Sequence, residues 1–344
     1  QIQTSEPTQY SYAAGTTVPQ QSLLSPDESL DFTTTNAAGV TVKTRAYAQV
    51  NLLAAYAMDT LDLGSHMELM GGLRYDHDDA YYNQMAAGST FGRFSESDNM
   101  LNWMGAAVYK PVEGASVYYA AGTSTDPSAE QLSLSSGSST EPPEETLSQQ
   151  LGAKWDLPHG LALAASLFYD RQYNTIGTDP ANTLLDVNTG AEQAEGYDLG
   201  AGGHITRGWE VQAGYTGMRT SYLNYQDSGI SYVGQSLQNS PNNTVDLWTT
   251  YNLPHAWQVG AGLDAAGARN AGKMVALPGG ADVMETAPGY IAYRAMLGYQ
   301  VNNHMDLQAN LENLTDVDYM DSMQGGHVVP GAGRTLLVSS DLKF

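Results

Sequence analysis

The chain has 344 residues, with 37 acidic and 14 basic side chains, no cysteine and 22 tyrosines. A net charge of −23 repels a phosphate backbone, so the composition excludes nucleic-acid binding. The absence of cysteine excludes disulfides and thiolate metal sites, and a hydrophobic content of 42% is too high for a disordered chain. No apolar run is long enough for a transmembrane helix, and we expect no signal peptide in the chain.

Apolar and polar residues alternate along many segments, which predicts β-strands with one apolar and one polar face. The pattern is clear at 161–169, 210–216, 257–265 and 305–312. In the last of these, for example, Met, Leu, Ala and Leu alternate with Asp, Gln, Asn and Glu. We count about 13 such strands after residue 47, which is typical of a chain built from antiparallel sheet.

Short turns and long polar loops alternate along the chain. The short turns are predicted near residues 65, 112, 159, 207, 255 and 303, and a longer polar segment lies between each pair. Short turns at one end and long loops at the other are typical of outer-membrane β-barrels. The sequence therefore predicts an all-β fold, an antiparallel up-and-down transmembrane β-barrel, with about 13 to 14 strands in residues 45–344. Residues 1–44 are expected to form a polar external loop or an irregular first strand.

A soluble antiparallel sandwich also shows alternation, because one of its faces packs on a core. Here the polar face is mostly Gly, Asn, Gln, Ser and Asp, with few of the Lys and Glu residues that a solvated face carries. All five tryptophans lie on predicted strands, most of them near the short turns, which is typical of an aromatic girdle at a membrane interface. They are Trp103, Trp155, Trp209, Trp248 and Trp257.

The end of the chain resembles the TonB-dependent outer-membrane receptors, and most closely the catecholate siderophore receptors. Residues 313–319 (NLTDVDY) resemble the penultimate-strand motif Asn-Leu-Phe-Asp-x-x-Tyr of that family, with Thr315 in the place of Phe. Residues 330–335 (PGAGRT) lead into a strand that ends at Phe344, which resembles the closing strand of the family. The upstream segments GLRYD, YAAGTS, LGAKWD, EGYDL and LWTTY follow in family order, so the resemblance covers residues 45–344.

The resemblance implies an outer-membrane protein of a Gram-negative bacterium that takes up a ferric siderophore through its extracellular loops. The family barrel has about 22 strands around a plug. We therefore expect this chain to be the C-terminal barrel portion, without the plug and without the box that the energising TonB complex grips. Two explanations are open: a fragment of a larger receptor, or a shortened barrel that closes on itself. The resemblance also implies that the protein contacts membrane lipid and lipopolysaccharide. It further implies that the barrel-assembly machinery inserts the chain by recognising Phe344. We expect no cofactor; the ferric siderophore is the transported ligand, and Ca²⁺ is a candidate ligand of the acidic loops.

Tyrosines and arginines supply the candidate ligand-binding residues. Aromatic rings in or beside the outer loops could stack on a flat ligand, or they could form the upper interfacial girdle. Two arginines have the sequence parity of lumen-facing positions, where they could contact an anion or pair with nearby aspartates, and we favour the pairing. The candidates are Tyr81, Tyr82, Tyr222, Tyr225, Tyr232, Arg74 and Arg294.

The long loops are acidic, which is unexpected at the mouth of a receptor for an anion. Three interpretations are open: a solvated surface, a site for divalent cations such as those that bridge lipopolysaccharide, or a mouth for cationic or neutral ligands. The candidate cation ligands are Asp126, Glu130, Glu141, Glu144 and Glu145. The histidine spacing predicts no metal site.

Two functions outside the receptor class remain open on the sequence alone. A passive pore with an acid-lined lumen would prefer cations. A surface or structural protein would use its acidic loops to bind divalent cations. We expect no enzyme, because the sequence has no G-x-S-x-G elbow, H-E-x-x-H motif or P-loop.

Overall fold

A computed structural model describes residues 2–5, 8–12, 40–86, 91–127, 142–158, 160–179, 182–227, 229–276, 282–324 and 327–343. Within these ranges the structure is built from strands, turns and irregular segments. None of the described residues forms a helix of the length and apolarity that a bilayer crossing requires.

Fifteen strands form a single antiparallel sheet. They are β1 (Ile2–Ser5), β2 (Thr8–Tyr12), β3 (Val40–Leu63), β4 (Met67–Ala86), β5 (Phe91–Val112), β6 (Ala115–Asp126), β7 (Glu144–Leu157), β8 (Leu161–Asp179), β9 (Asn182–Thr206), β10 (Trp209–Asn224), β13 (Asn243–Asn252), β14 (Trp257–Ala266), β17 (Tyr290–Asn302), β18 (Met305–Glu312) and β21 (Thr335–Leu342). Three separate hairpins pair β11 (Gln226–Asp227) with β12 (Ile230–Ser231), β15 (Arg269–Ala276) with β16 (Asp282–Ala287), and β19 (Met320–Gln324) with β20 (His327–Pro330).

From β3 to β21 each strand of the main sheet pairs with the next one along the chain, so the predicted up-and-down topology is confirmed. These are 13 strands, the number expected from the alternation. Tight turns lie at 64–66, 113–114, 207–208, 253–256 and 303–304, where the sequence predicts them. The three hairpins all belong to connections at the opposite end of the sheet.

Several strands are longer than a membrane crossing requires. A tilted crossing takes about 9 to 11 residues, whereas β8 has 19 residues and β9 has 25. Their excess length lies at the end of the sheet that carries the hairpins, because the other end is limited by the tight turns. The sheet therefore continues beyond the apolar zone on that side, and this extension carries the candidate site.

The two faces of the sheet differ as the alternation predicts. Large apolar side chains are exposed along one face, among them Leu101, Leu167 and Val338, which is 72% exposed. A contiguous apolar surface of this extent needs lipid or a protein partner to cover it. Four of the tryptophans are exposed on strands of this sheet, as a girdle requires: Trp103, Trp155, Trp209 and Trp257.

The prediction that all five tryptophans belong to an aromatic girdle is wrong for Trp248. In the register of β13 and β14 it lies opposite Gly262, and its ring contacts the position that a Cβ atom on Gly260 would occupy, at 2.7 Å. The guanidinium of Arg294 lies 5.5 Å from the centre of the same ring. Trp248 therefore lies on the polar face, because its parity along β13 is that of Asp246 and not that of Leu247.

The first 44 residues contribute strands to the sheet. Both β1 and β2 pair with β3, which itself begins at Val40, while residues 13–39 lie outside the described part of the chain. Phe344, the proposed insertion signal, also lies outside the described residues. Among the described pairings, β21 has only β18 as a neighbour, and residues 52–63 of β3 have only β4.

Candidate functional site

Three of the candidate tyrosines form one aromatic cluster above the end of β10. The rings of Tyr222 and Tyr225 are stacked with their centres 4.7 Å apart. Tyr232 meets both of them edge-on, at 6.0 Å from Tyr222 and 5.6 Å from Tyr225. We call these three residues the outer tyrosine cluster. Stacked and edge-to-face pairs of this kind each add about 0.5–1.5 kcal/mol beyond the area they bury.

Backbone hydrogen bonds of the connection between β10 and β13 hold the cluster together. The amide of Tyr222 donates to the carbonyl of Gln235 at 2.9 Å, and the amide of Gly234 donates back to the carbonyl of Tyr222 at 2.8 Å. The amide of Tyr232 donates to the carbonyl of Tyr225 at 3.0 Å. Gly234 has a φ of 82°, a conformation that favours glycine, so the chain can turn directly after the cluster and bring Gln235 back to Tyr222.

Glu192 lies directly opposite Tyr222 in the register of β9 and β10. Burial raises the pKa of Glu192, and the negative charge of Glu144 raises it further. Burial also raises the pKa of Tyr222 to about 12, and the charge of Glu192 adds to this rise. The cluster thus combines aromatic faces with a carboxyl group that holds its proton more tightly than an exposed glutamate. Such a site suits a flat ligand better than it suits a free anion.

Glu144 is fixed beside this site by two hydrogen bonds. The side-chain amide of Gln172 donates to Glu144 at 2.6 Å, and the backbone amide of Ile176 donates at 3.2 Å. Asp126 is the cross-strand neighbour of Glu144, whereas Glu145 lies one position further and has the opposite parity. The acidic residues at the ends of β6 and β7 are therefore divided between the two faces of the sheet.

The predicted cation site was sought among the acidic side chains that the structure describes. Among them, no three His, Cys, Asp or Glu side chains are placed to hold a metal ion together. Glu130 and Glu141 lie outside the described part of the chain. Divalent-cation binding by these loops stays a prediction.

Tyr81 and Tyr82 are not part of the outer tyrosine cluster. Tyr82 is buried, stacks on Phe94 with the ring centres 6.4 Å apart, and packs with Ala48 and Ala80. Tyr81 is half exposed. It directly precedes Tyr82 on β4, so its side chain points from the opposite face of the sheet. The two tyrosines therefore do not present a common surface to a ligand.

Both candidate arginines form ion pairs with aspartates. Arg74 makes a two-pronged contact with Asp76, in which its Nε and Nη2 atoms donate to the two carboxylate oxygens at 2.7 Å each. Arg294 lies between Asp246 and Asp264, at 2.8 Å and 3.0 Å. These contacts agree with the pairing that the sequence analysis favours, and they neutralise the positive charge that an anionic ligand would seek.

A second aromatic group involves a buried arginine that the sequence analysis did not consider. Arg269 is only 8% exposed, and it donates to the backbone carbonyls of Asp321 and Met320. Its guanidinium also lies 5.7 Å from the ring centre of Tyr290, which stacks on Tyr319 at 4.1 Å. The β15–β16 hairpin is thereby fastened to the β19–β20 hairpin. Only the hydrophilic character of these loops was visible in the sequence.

Comparison with known proteins identifies the family. Residues 2–314 match the family model described as the β-barrel of TonB-dependent receptor-like proteins. The catecholate siderophore receptor Fiu of Escherichia coli K12 is 28% identical over 360 residues, which covers 95% of this chain and 46% of Fiu. The probable TonB-dependent siderophore receptor PiuA of Acinetobacter baumannii is 29% identical over 318 residues, which covers 86% of this chain and 41% of PiuA.

Solved structures of the same two proteins share the fold. The closed form of Fiu superimposes with a TM-score of 0.78 at 28% identity, over all of this chain and 51% of Fiu. PiuA superimposes with a TM-score of 0.79 at 25% identity, over 89% of this chain and 44% of PiuA. This chain therefore spans about half the length of these relatives, and it belongs to the TonB-dependent receptor β-barrel family of the Gram-negative outer membrane.

Proposed function

We propose that this chain forms the C-terminal wall of an outer-membrane receptor that takes up a ferric siderophore, with a catecholate complex as its ligand class. The observation that carries the proposal is the outer tyrosine cluster, three contacting rings at the outer end of a family-matched sheet. Aromatic rings stack on planar aromatic ligands without needing a compensating charge. The relatives named catecholate and siderophore receptors support the same ligand class.

The acidic surroundings are compatible with this ligand class. Burial raises the pKa of Glu192, and the side chains of Gln172 and Glu144 are joined by a hydrogen bond at 2.6 Å, so part of the acidic group near the cluster is engaged within the protein. Contact with the complex would then come mainly from the faces of the rings. We infer that the role of the chain is binding and transport, with no catalytic step.

Uptake also requires partners. We propose that the complete receptor is driven by the TonB complex, that its apolar face contacts lipid and lipopolysaccharide, and that Phe344 is read by the barrel-assembly machinery. We also infer that β3 and β21 pair with further strands, because unpaired backbone edges are not tolerated in lipid. The exposed apolar side chains beside both edges, such as Tyr56 and Val338, support this inference.

Growth on iron supplied as iron(III) tris-catecholate tests the proposal. A strain that depends on the complete receptor should grow, and removal of the TonB complex should abolish growth. Replacing Tyr222, Tyr225 and Tyr232 together by leucine should weaken binding of the complex at least about tenfold, because the rings of Tyr222 and Tyr225 are lost together with the buried ring of Tyr232 that packs against them. Leucine at Tyr109 and Tyr251, which are exposed near the tight-turn end, is the matched control. Unchanged binding in the triple variant would contradict the proposed site.

A cation-preferring pore is the second candidate, and the carboxylates on the polar face favour it. Asp76 and Asp78 are both less than 10% exposed on this face, and Asp198 and Asp246 lie on it further along the sheet. Such a lining attracts cations. Steady cation-selective steps from this chain alone in a planar bilayer would favour the pore. We expect no steady steps, because the two edges of the sheet need other strands.

A further inference from the structure

Three outer connections meet at one point, although they are far apart in sequence. The segment between β12 and β13 contributes Asn239, the β15–β16 hairpin contributes Asn270, and the β19–β20 hairpin contributes Met323. Asn270 and Met323 are both buried, at 6% and 4% exposure. We call these three residues the loop junction.

The side chain of Asn239 forms the contact with the last hairpin. Its Nδ2 atom donates to the carbonyl of Met323 at 2.5 Å, and its Oδ1 atom accepts from the amide of Met323 at 3.0 Å. The side-chain amide of Asn239 thus bonds the backbone of Met323 as a neighbouring strand would. It pairs both the carbonyl and the amide of this buried residue. The backbone amide of Asn239 donates to the carbonyl of Asn270 at 3.1 Å, so one residue joins all three connections.

Gln238 connects the loop junction to the outer tyrosine cluster. Its side chain donates to the carbonyl of Met323 at 2.7 Å and to that of Ala271 at 3.1 Å. The backbone of Gln238 acts to lower the pKa of Tyr222 against the larger effect of burial, and Gln235, three residues earlier, accepts from the backbone amide of Tyr222 at 2.9 Å. Hydrogen bonds therefore join the last hairpin to Gln238 and Asn239, and the same connection is bonded to the backbone of Tyr222 through Gln235.

We propose that Asn239 is a positioning residue for the ligand site, because its amide holds the connection that closes over the outer tyrosine cluster against the β19–β20 hairpin. Asn239 itself has no ring contact and need not touch the ligand. Its loss would let the connection move, and the three rings would no longer be held together. The inference rests on the proposed function, since it concerns the same aromatic site.

Three substitutions separate the hydrogen bonds of Asn239 from its backbone conformation. Asn239 has a φ of 55°, which glycine adopts without strain and alanine does not. Asn239→Gly removes both side-chain hydrogen bonds and keeps this conformation, whereas Asn239→Ala also adds strain. Asn239→Asp keeps an acceptor for the amide of Met323 and loses the donor to its carbonyl. Asn302→Gly is the control, because Asn302 bonds only a turn amide at the opposite end of the sheet.

Two measurements on the complete receptor in detergent report on the site. The first is the affinity for iron(III) tris-catecholate, which we expect to fall about tenfold in Asn239→Gly, because two hydrogen bonds are lost, and at least as far in Asn239→Asp, because a carboxylate oxygen then faces the carbonyl of Met323. The second is the ionisation of Tyr222 by ultraviolet absorbance, identified by its loss in Tyr222→Phe. Its pKa should fall from about 12 toward 10 in Asn239→Gly, because the ring becomes more exposed. Asn302→Gly should change neither.

The outcomes distinguish this inference from the proposed function. If Asn239→Gly binds the complex as the natural protein does while the triple leucine variant does not, the positioning role is wrong and the ligand site stands. If the triple leucine variant itself binds normally, the ligand site is wrong. If Asn239→Gly does not fold, Asn239→Asp decides, and normal affinity with an unshifted Tyr222 titration in that variant would overturn the inference.

Discussion

Glu192 on β9 and Tyr222 on β10 lie directly opposite each other, and the charge of the carboxyl group helps to raise the pKa of the phenol to about 12. The pair lies beyond the apolar zone of the sheet, at the base of the outer tyrosine cluster. Strand register thus places a half-buried carboxyl group next to the rings that we propose as the ligand site.

Glu192→Gln should lower the pKa of Tyr222 from about 12, but not to its ordinary value of 10, because burial, the larger cause of the rise, remains. Ultraviolet titration of the tyrosines, with Tyr222→Phe to identify the signal, measures this shift. Glu195→Gln, an exposed change on the same strand, should leave the signal where it is. A Tyr222 titration that is identical in Glu192→Gln and in the natural protein would show that the two groups do not interact.

The stability of the outer ends of β9 and β10 should depend on pH through Glu192. Its pKa in the folded protein is above the ordinary value of 4.5, so the folded state binds the proton more tightly than the unfolded state does. Its stabilising contribution is fully present below pH 4.5 and is lost as the pH rises through the raised pKa. The hydrogen-exchange protection of these strand ends, taken relative to the intrinsic exchange rate at each pH, should therefore fall over this range. Glu192→Gln should remove the dependence, and a slope that persists in this variant would assign it to another group.

Arg294→Met should destabilise the sheet by about 1 kcal/mol, because it leaves Asp246 and Asp264 facing each other without a cation. The value is modest because both aspartates are more than one third exposed. Urea unfolding of Arg294→Met, Asp264→Asn and the double variant gives the coupling directly. Arg334→Met removes a longer and more exposed pair with Asp316, and should cost close to nothing. Equal losses in the two arginine variants would contradict this ranking.

Gly262→Ala should destabilise the sheet by about 1–3 kcal/mol, the usual cost of overpacking. A methyl group there would meet the ring of Trp248 at 2.6 Å and also the carbonyl oxygen of Leu247. Gly214→Ala on β10, two strands away in the same sheet, is the matched control, since nothing lies within 4 Å of the added carbon. Thermal unfolding of the two variants compares them, and an equal effect would mean that Trp248 does not pack on Gly262.

Leu167→Arg should cost about 2–4 kcal/mol in a bilayer, because it places a charge on the apolar face of β8. Leu167 is 58% exposed on that face. Ser166→Arg puts the same side chain on the other face, on the side of Asp198, and should cost much less. Folding into lipid vesicles, followed by the change in gel mobility on heating, measures both. A larger cost for Ser166→Arg would reverse the assignment of the faces.

The alternation of residues determined the sheet from the sequence alone. Side chains on a strand alternate with a period of two, so the pattern predicts strands and faces without knowledge of their neighbours. The tight turns and long loops determined the up-and-down order, and the motif at 313–319 pointed to the family. Even the inward position of Trp248 follows from its parity with Asp246, and the girdle interpretation failed because it considered residue type before parity.

Only the tertiary structure decided which side chains meet. Register between strands placed Glu192 opposite Tyr222, and a one-residue shift would have moved it to the other face. The β11–β12 hairpin brought Tyr232 back to Tyr225 in the outer tyrosine cluster, whereas Tyr82 packs on Phe94 elsewhere in the sheet. The contact between Asn239 and Met323 joins residues 84 positions apart. Contacts of this kind depend on the path of the loops, which the local alternation of residue types does not encode.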